Sequence, residues 1–314
     1  MELRQLRYFV RAVELGSISR AAADLAVVPA TLSQQISRLE GEMSTILLQR
    51  SVSGVEPTAA GAALFREAKL ALRHVQQGVQ EAQHLRISGR VNIGLTPTVI
   101  SMIGLEFLRR MTERYNGVHV HLVEGLSGHL LEALNARELD HALLFRYEIG
   151  KYWTVKPLLQ ETIYLFRAAQ PGSGGFSEQR SSLELLAGEP LLLAAPVHGL
   201  RQTLDTVFAN ARLRPRILAE IDSLPTLMDA VAAGFGATLQ PWAACARYPD
   251  RDQLFSWGQL EGVDIMRSGD LCSLPEEELS SSALAARSIL EECVRDQVNS
   301  GRWLGVQLAE AGRT

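Results

Sequence analysis

Residues 16–42, GSISRAAADLAVVPATLSQQISRLEGE, decide the fold of the N-terminal part of this chain. They predict two short helices separated by a tight break. The hydroxyl of Ser17 or Ser19 can cap the first helix by accepting a hydrogen bond from a first-turn N–H group. The second helix starts near Pro29, whose fixed φ and missing N–H suit a first turn. The segment therefore predicts a helix-turn-helix.

The second of these helices has an apolar face and a polar face. Leu32, Ile36 and Leu39 recur at helical spacing, which places them on one side, facing a core. The polar side consists of Thr31, Ser33, Gln34, Gln35, Ser37 and Arg38. Such a face suits the reading of a DNA groove. It is also typical of a helical hairpin with a solvated face, and this segment alone leaves both interpretations open.

The flanking residues extend this unit into a small domain. Residues 3–15 predict a further helix that completes a three-helix core. Residues 49–57, QRSVSGVEP, predict a short wing with Gly54 at its tip. Residues 58–86 predict one long amphipathic helix that begins at Thr58. We expect that helix to pair with a copy of itself, with packing along a second domain as the alternative.

Size and composition are those of an ordinary globular protein. The chain has 314 residues, of which 46% are hydrophobic and 21% charged, so two domains fit. The sequence contains no apolar run of membrane-spanning length and no signal-peptide pattern, so we expect neither a membrane partner nor export. Cys245, Cys272 and Cys293 have no disulfide or metal spacing, which favours a cytoplasmic location. We expect no cofactor.

Charge is distributed unevenly along the chain. The formal net charge is −4, but residues 1–90 contain 11 Lys and Arg against 8 Asp and Glu. The remaining residues contain 20 basic against 27 acidic side chains. A mildly basic N-terminal part on an acidic body is compatible with local contacts to phosphate groups.

Beyond a short hinge at residues 87–90, predicted strands and helices alternate. Strands are expected at residues 90–95, 118–124, 140–145, 155–159, 163–168, 190–195, 217–221 and 237–239, and helices at 99–115, 127–137, 200–213 and 224–233. Such alternation is typical of parallel sheets built from β-α-β units. Residues 171–175 predict a loop and residues 281–298 a helix. The tail at residues 301–314, which contains Trp303, is expected to pack on the body or to contact another copy.

In this order the motifs resemble those of LysR-type transcriptional regulators. The resemblance is carried by the first helix, Ala21-Ala22, Leu25, and residues 32–36, 47–50, 58–61, 89–94, 198–201 and 231–236 with Pro241. It implies an α/β protein with an N-terminal all-α winged helix-turn-helix and a dimerising linker helix. The effector domain would consist of two α/β subdomains resembling type 2 periplasmic binding proteins. The expected borders are 1–58 for DNA binding, 59–88 for the linker, 89–300 for effector binding and 301–314 for the tail.

The implied function is sequence-specific transcriptional regulation modulated by a small-molecule effector. Expected partners are double-stranded operator DNA, the effector and further copies in a homodimer or homotetramer, and RNA polymerase is a further candidate. A DNA-binding scaffold that ignores small molecules is one alternative. An enzyme with a DNA-binding head is another, which we do not expect because no Walker A loop, nucleophile-base pair or metal cluster is apparent.

The candidate DNA contacts lie mainly on the second helix of the helix-turn-helix. Gln34 and Gln35 can bond an adenine edge, and Arg38 can contact guanine or phosphate. The full candidate set is Ser19, Arg20, Thr31, Ser33, Gln34, Gln35, Ser37, Arg38, Arg50 and Ser53. Three positions depart from the family pattern: residues 28–31 lack the usual Ser-Gln-Pro-Ala, the wing near Ser53 lacks a basic residue, and Ser44 replaces a common glycine.

The candidate effector contacts follow the predicted strands, because ligands of open parallel sheets bind at the carboxyl ends of strands. They are Thr96, Pro97, Thr98, Ser127, Phe145, His198, Arg201 and Ser223. Hydroxyl-bearing turns, a histidine, an arginine and free N–H groups at helix starts suit a carboxylate, so we expect an organic acid. His119 and His121 alternate along one strand, but no third metal ligand is evident and we expect no metal.

Overall fold

The computed structural model describes residues 1–51, 54–83, 87–145, 153–170 and 175–309. They belong to two compact units, Met1–Arg86 and Ile87–Thr314. Among the described residues, no helix combines the length and apolar character needed to cross a bilayer.

The N-terminal unit is a winged helix-turn-helix followed by a long helix, as predicted. Its elements are α1 (Leu3–Leu15), α2 (Ile18–Asp24), α3 (Pro29–Met43), β1 (Leu48–Ser51), β2 (Gly54–Pro57) and α4 (Ala59–Gln83). Ser17 rather than Ser19 is the cap of α2, because its hydroxyl accepts the Arg20 N–H at 3.3 Å. Residues 84–86, at the end of the predicted long helix, lie outside the described residues.

The core of this unit includes the apolar faces of α1 and α3. Leu32, Ile36 and Leu39 are fully buried, as their spacing predicts. Gln35 is buried as well, with 8% of its surface exposed, so its assignment to the polar face is wrong. The reason is geometric: Gln35 follows Leu32 by three residues, and positions three, four and seven residues apart share one side of a helix.

The C-terminal unit contains the remaining described elements. They are β3 (Ser88–Leu95), α5 (Pro97–Arg114), β4 (Gly117–Glu124), α6 (Ser127–Asn135), β5 (His141–Phe145), β6 (Thr154–Ala168), β7 (Gly175–Ser181), β8 (Pro190–Leu193), α7 (Gly199–Asn210), β9 (Arg216–Glu220), α8 (Leu224–Ala232), β10 (Thr238–Pro241), α9 (Arg251–Leu254), β11 (Phe255–Leu260), β12 (Met266–Ser273), α10 (Ser281–Asn299) and β13 (Val306–Leu308). The alternation predicted from the sequence is confirmed for most of these elements.

Strand β6 is shared by the two halves of this unit. The first half contains the strands β4-β3-β5-β12 and the first part of β6, in that order. In the second half, the last part of β6 pairs with β10 and β11. Pairing is parallel for β3 with β4 and β5, and for β8 with β9. It is antiparallel wherever β6 takes part. The sheets are therefore mixed: the expected parallel pairing is present in β3, β4, β5, β8 and β9, whereas β10, β11 and β12 pair antiparallel with β6.

Three local expectations also change. The two strands predicted at residues 155–159 and 163–168 are one, because Gln160 and Glu161 pair with both β12 and β13 and stay extended. The predicted hinge at 87–90 is already part of β3 from Ser88 onward. Of the loop predicted at 171–175, residues 171–174 lie outside the described residues and Gly175 begins β7.

The C-terminal tail packs on the body of this unit. Trp303 is buried, with 2% of its surface exposed. Beyond it, β13 lies antiparallel to β6 with Val306 opposite Glu161. The Thr162 N–H donates to the Gly305 carbonyl at 2.8 Å, which fastens the tail to the middle of β6. Residues 310–314 lie outside the described residues.

Helix α3 ends at a residue in the left-handed region. Ser44 has φ 51° and its N–H donates to the Gly41 carbonyl at 3.2 Å, while the Thr45 N–H donates to the Glu40 carbonyl at 3.0 Å. A side chain in this conformation brings Cβ close to the following carbonyl, and glycine avoids that contact.

Replacing Ser44 with glycine should stabilise the N-terminal unit by about 1 kcal/mol, because the left-handed strain is removed. Urea unfolding followed by helical circular dichroism measures the change. Ser300→Gly is the matched control, since Ser300 also ends a helix but has φ −80°. Equal effects of the two substitutions would show that backbone strain at Ser44 is not the cause.

Candidate functional site

The polar face of α3 is the candidate DNA-contacting surface. Thr31, Gln34, Ser37 and Arg38 are exposed on it, and Ser33 is half-buried. On α2, Ser19 and Arg20 are exposed, and the Arg20 guanidinium donates to the Leu15 carbonyl. The side chain of Arg50 and the whole of Ser53 lie outside the described residues.

The wing is fastened to the helices by hydrogen bonds to the backbone. One carboxylate oxygen of Glu40, on α3, accepts the N–H groups of Leu47 and Leu48 at 2.8 and 3.1 Å. The Val55 N–H donates to the Gly16 carbonyl at 3.1 Å. Because charged acceptors form strong hydrogen bonds, the wing and α3 hold a defined relative position. The role of Glu40 was not anticipated, since its partners are backbone groups that no side-chain pattern reveals.

The start of α4 approaches the same segment closely. The Thr58 hydroxyl accepts the Gly61 N–H at 3.0 Å and donates to the Ile46 carbonyl at 2.8 Å. A Cβ at Gly61 would lie 1.9 Å from the Leu47 carbonyl oxygen. Glycine at this position is therefore required for the approach.

A second candidate site is a cleft between the two halves of the C-terminal unit, with a volume of about 50 Å³. Its lining residues come from the ends of strands and the starts of helices. They are Thr96, Pro97, Thr98, Leu126, Ser127, Ala194, His198, Gly199, Leu200, Ile221, Asp222, Leu224, Leu227 and Gln240, together with Arg267 from β12.

The structure brings together most of the residues proposed for effector contact. Thr96, Pro97, Thr98, Ser127 and His198 all line the cleft. Phe145, Arg201 and Ser223 are not among the residues that line it.

Each of these three residues has a structural role instead. The Arg201 guanidinium is held by Glu220 and Asp205, each at 2.9 Å, and by a backbone carbonyl. Ser223 caps α8 by accepting the Thr226 N–H. Phe145 is fully buried, and its ring lies 3.9 Å from the guanidinium carbon of Arg267.

Four helices begin at the cleft, and three of them lack a side-chain cap. The N-cap residues of α5, α6 and α7 are Thr96, Leu126 and His198, and none of these side chains accepts a first-turn N–H. Uncapped N–H groups carry the positive end of each helix dipole. The cleft therefore favours an anion.

Arg267 is the cleft residue that sequence reasoning missed. Its guanidinium donates to the fully buried carboxylate of Glu161, directly opposite on β6, and to the Thr98 hydroxyl at 3.3 Å. Burial raises the pKa of Glu161, and the charge of Arg267 acts in the opposite direction. The strand that carries Arg267 was not predicted, so no sequence signal placed it at the cleft.

A histidine and a carboxylate face each other on the opposite wall. His198 is buried, and its Nε2 lies 3.4 Å from Oδ2 of Asp222. The other oxygen of Asp222 accepts the Ala195 N–H at 2.9 Å. This hydrogen bond, with a smaller contribution from His198, lowers the pKa of Asp222. The Thr96 hydroxyl is buried and has no hydrogen-bond partner within the described residues.

Comparisons with known proteins match both units. The model described as bacterial regulatory helix-turn-helix protein, lysR family, matches residues 3–62, and the LysR substrate binding domain matches residues 85–294. The chain is 35% identical to the nitrogen assimilation regulatory protein nac of Klebsiella aerogenes over 247 residues, 78% of this chain and 79% of that protein. A full-length OxyR variant from Pseudomonas aeruginosa has TM-score 0.72 and 21% identity, covering 94% of this chain and 95% of its own. Full-length CbnR complexed with target DNA has TM-score 0.63 and 22% identity, covering 94% and 99%.

Removing Arg267 should destabilise the C-terminal unit strongly. Arg267→Met leaves Glu161 buried without its cation, a loss of about 3–5 kcal/mol at neutral pH. Burial raises the folded-state pKa of Glu161, so the folded variant binds a proton more tightly than the unfolded chain. The penalty should therefore shrink as the pH falls. All four tryptophans lie in this unit, so urea unfolding followed by tryptophan fluorescence reports on it alone.

The control for this prediction adds Glu161→Gln to the Arg267→Met variant. Its stability relative to the native chain should vary much less with pH, because the titrating group is gone. A penalty for Arg267→Met that is the same at acid and neutral pH would contradict the assignment.

Proposed function

The chain belongs to the LysR family of transcriptional regulators, DNA-binding proteins with an effector-binding domain, and we propose that its cleft binds the carboxylate of a small organic acid. The observation that carries this proposal is the convergence of three uncapped helix starts with Arg267 on one cleft. We propose a binding role rather than catalysis, a view that the regulators among its relatives support.

The carboxylate would be recognised by groups that are already in place. Arg267 is fixed by Glu161 and Phe145, and Thr98 accepts one of its N–H groups. The Thr98 hydroxyl hydrogen remains to be donated, beside the free N–H groups of α5, α6 and α7. A volume of about 50 Å³ is enough for a carboxylate group.

We propose that α3 reads the operator from its exposed polar face. Gln34 and Arg38 would meet base edges, with Ser19, Arg20, Thr31, Ser33, Ser37, Arg50 and Ser53 as further contacts. Gln35 is omitted because its burial beside Leu32 and Ile36 keeps it from the surface. Fixed contacts of Glu40 with the wing support this arrangement, since recognition needs a helix held at a constant angle.

The long helix α4 is proposed as the contact between copies. Val75 and Val79 are four residues apart and exposed to 43% and 51%, which leaves an apolar stripe open on its surface. Pairing of two such stripes would bury them and place two copies of α3 on one operator as a homodimer. A homotetramer, the segment borders 1–58, 59–88, 89–300 and 301–314, and a cytoplasmic location remain part of the proposal.

Gln34→Ala should weaken operator binding by about 1–3 kcal/mol and change binding to random DNA much less, because base contacts carry sequence preference. Titration of labelled duplexes at one fixed salt concentration measures both. Gln253→Ala, the same substitution at an exposed position in the C-terminal unit, is the control. Equal losses on operator and random DNA would contradict the role of Gln34.

Small carboxylic acids should raise the melting temperature of the C-terminal unit, and the corresponding amides should not. A ligand at about a hundred times its Kd adds about 2.7 kcal/mol. Thr98→Val should reduce the shift, since it removes a donor at the cleft. Thr112→Val, on the same helix but exposed away from the cleft, should leave it unchanged. If acids and amides act alike, carboxylate recognition is ruled out.

A further inference from the structure

A second cavity, of about 240 Å³, lies beside the cleft in the C-terminal unit. Pro97 and Leu224 line both spaces, so the first turns of α5 and α8 form the wall between them. On the far side the lining is apolar and comes from Pro225, Ala243 and Ala244. That volume is enough for a small organic molecule.

Two opposite charges face each other at this cavity. Glu124 ends β4 in the first half, and Arg247 lies in the second half, before α9. Their nearest atoms, Oε2 and Nη2, are 3.9 Å apart, which is beyond hydrogen-bond distance. Arg247 is 57% exposed and Glu124 40% exposed. Within the described residues neither side chain has another polar partner, so both retain unused hydrogen-bonding capacity.

The cavity also joins the two halves through a neutral contact. The Ser101 hydroxyl, on α5, donates to the Thr98 carbonyl at 2.7 Å and lies 3.3 Å from the Ala243 carbonyl of the second half. Tyr248 completes the wall, with its hydroxyl donating to Asp229 at 2.8 Å. The cavity therefore lies where the two halves of the unit meet.

We propose that this cavity binds an α-amino acid with an apolar side chain, whose carboxylate pairs with Arg247 and whose ammonium group pairs with Glu124. A ligand with a carboxylate but no amine would place that carboxylate beside the carboxylate of Glu124. A ligand with an amine but no carboxylate would place its ammonium group beside the guanidinium of Arg247. Both arrangements are disfavoured by like-charge repulsion. The zwitterion satisfies both side chains, and its apolar side chain covers the Pro225 and Ala244 wall.

Binding here would link the halves of the unit. Since Glu124 and Arg247 belong to different halves, a ligand held by both stabilises the arrangement seen in this structure. The shared wall of Pro97 and Leu224 adjoins the cleft, so occupancy of the cavity changes the affinity of the cleft and the reverse holds equally. This site is separate from the carboxylate cleft, and its test does not depend on the cleft being correctly assigned.

Isothermal titration of the full chain with L-leucine, isocaproate and isoamylamine tests the inference. Isocaproate lacks the ammonium group of leucine, and isoamylamine lacks its carboxylate. Leucine should bind about tenfold or more tightly than either, because each analogue loses one charge-assisted contact. Arg247→Ala and Glu124→Gln should each weaken leucine binding by about tenfold. Arg214→Ala, at an exposed position outside both cavities, should leave it unchanged.

Two outcomes would overturn the inference: an absence of leucine binding at millimolar concentration, and unchanged affinity in Arg247→Ala. If Thr98→Val weakens leucine binding while Arg247→Ala does not, leucine binds in the cleft, and the proposed cleft function still stands. Both charged side chains are substantially exposed, and tryptophan fluorescence verifies that their variants fold.

Discussion

The buried ion pair between Arg267 and Glu161 is the interaction on which the C-terminal unit depends. The two residues are directly opposite on β12 and β6, where the sheet of the first half passes into the second. Glu161 is fully buried, so its charge is tolerated only with its partner in place. This requirement fixes the guanidinium against Phe145 and Thr98, at the wall of the cleft. Arg267 therefore serves both the stability of the unit and the proposed recognition of a carboxylate.

The backbone contributes positive partial charge at the cleft. Glu161 offsets the charge of Arg267, and Asp222 offsets any charge on His198. The starts of α5, α6 and α7 are not offset, because their N-cap side chains leave the first-turn N–H groups free. Folding alone gives these helices no side-chain partner, and a bound anion would supply one. The missing caps are therefore consistent with a ligand site.

How much the sequence predicts depends on whether an interaction is local. Helix α1 begins and ends where the spacing of its apolar residues predicts. The sequence also predicts that Thr96, Thr98 and His198 lie at the cleft, because each follows a predicted strand and the order of strands along the chain is local information. Gln35 was misassigned because its side-chain type suggests exposure while its position lies in the core stripe.

Long-range contacts account for the remaining errors. Arg201 was expected at the cleft, but on α7 it is held by Glu220 of β9. Arg267 is separated from Glu161 by about a hundred residues, and neither β12 nor the pairing of β13 with β6 has a strong sequence pattern. Register across the mixed sheet decides the position of Arg267 and the pairing of β13, and a single sequence does not show register.

A crystal structure of the full chain with a small carboxylate such as acetate would show whether the cleft binds a carboxylate. We expect one carboxylate oxygen at about 3 Å from the Thr98 hydroxyl or an Arg267 nitrogen. The second oxygen should face the free N–H groups at the helix starts, with Arg267 still paired to Glu161. A carboxylate bound elsewhere on the chain, with none in the cleft, would contradict carboxylate recognition at the cleft.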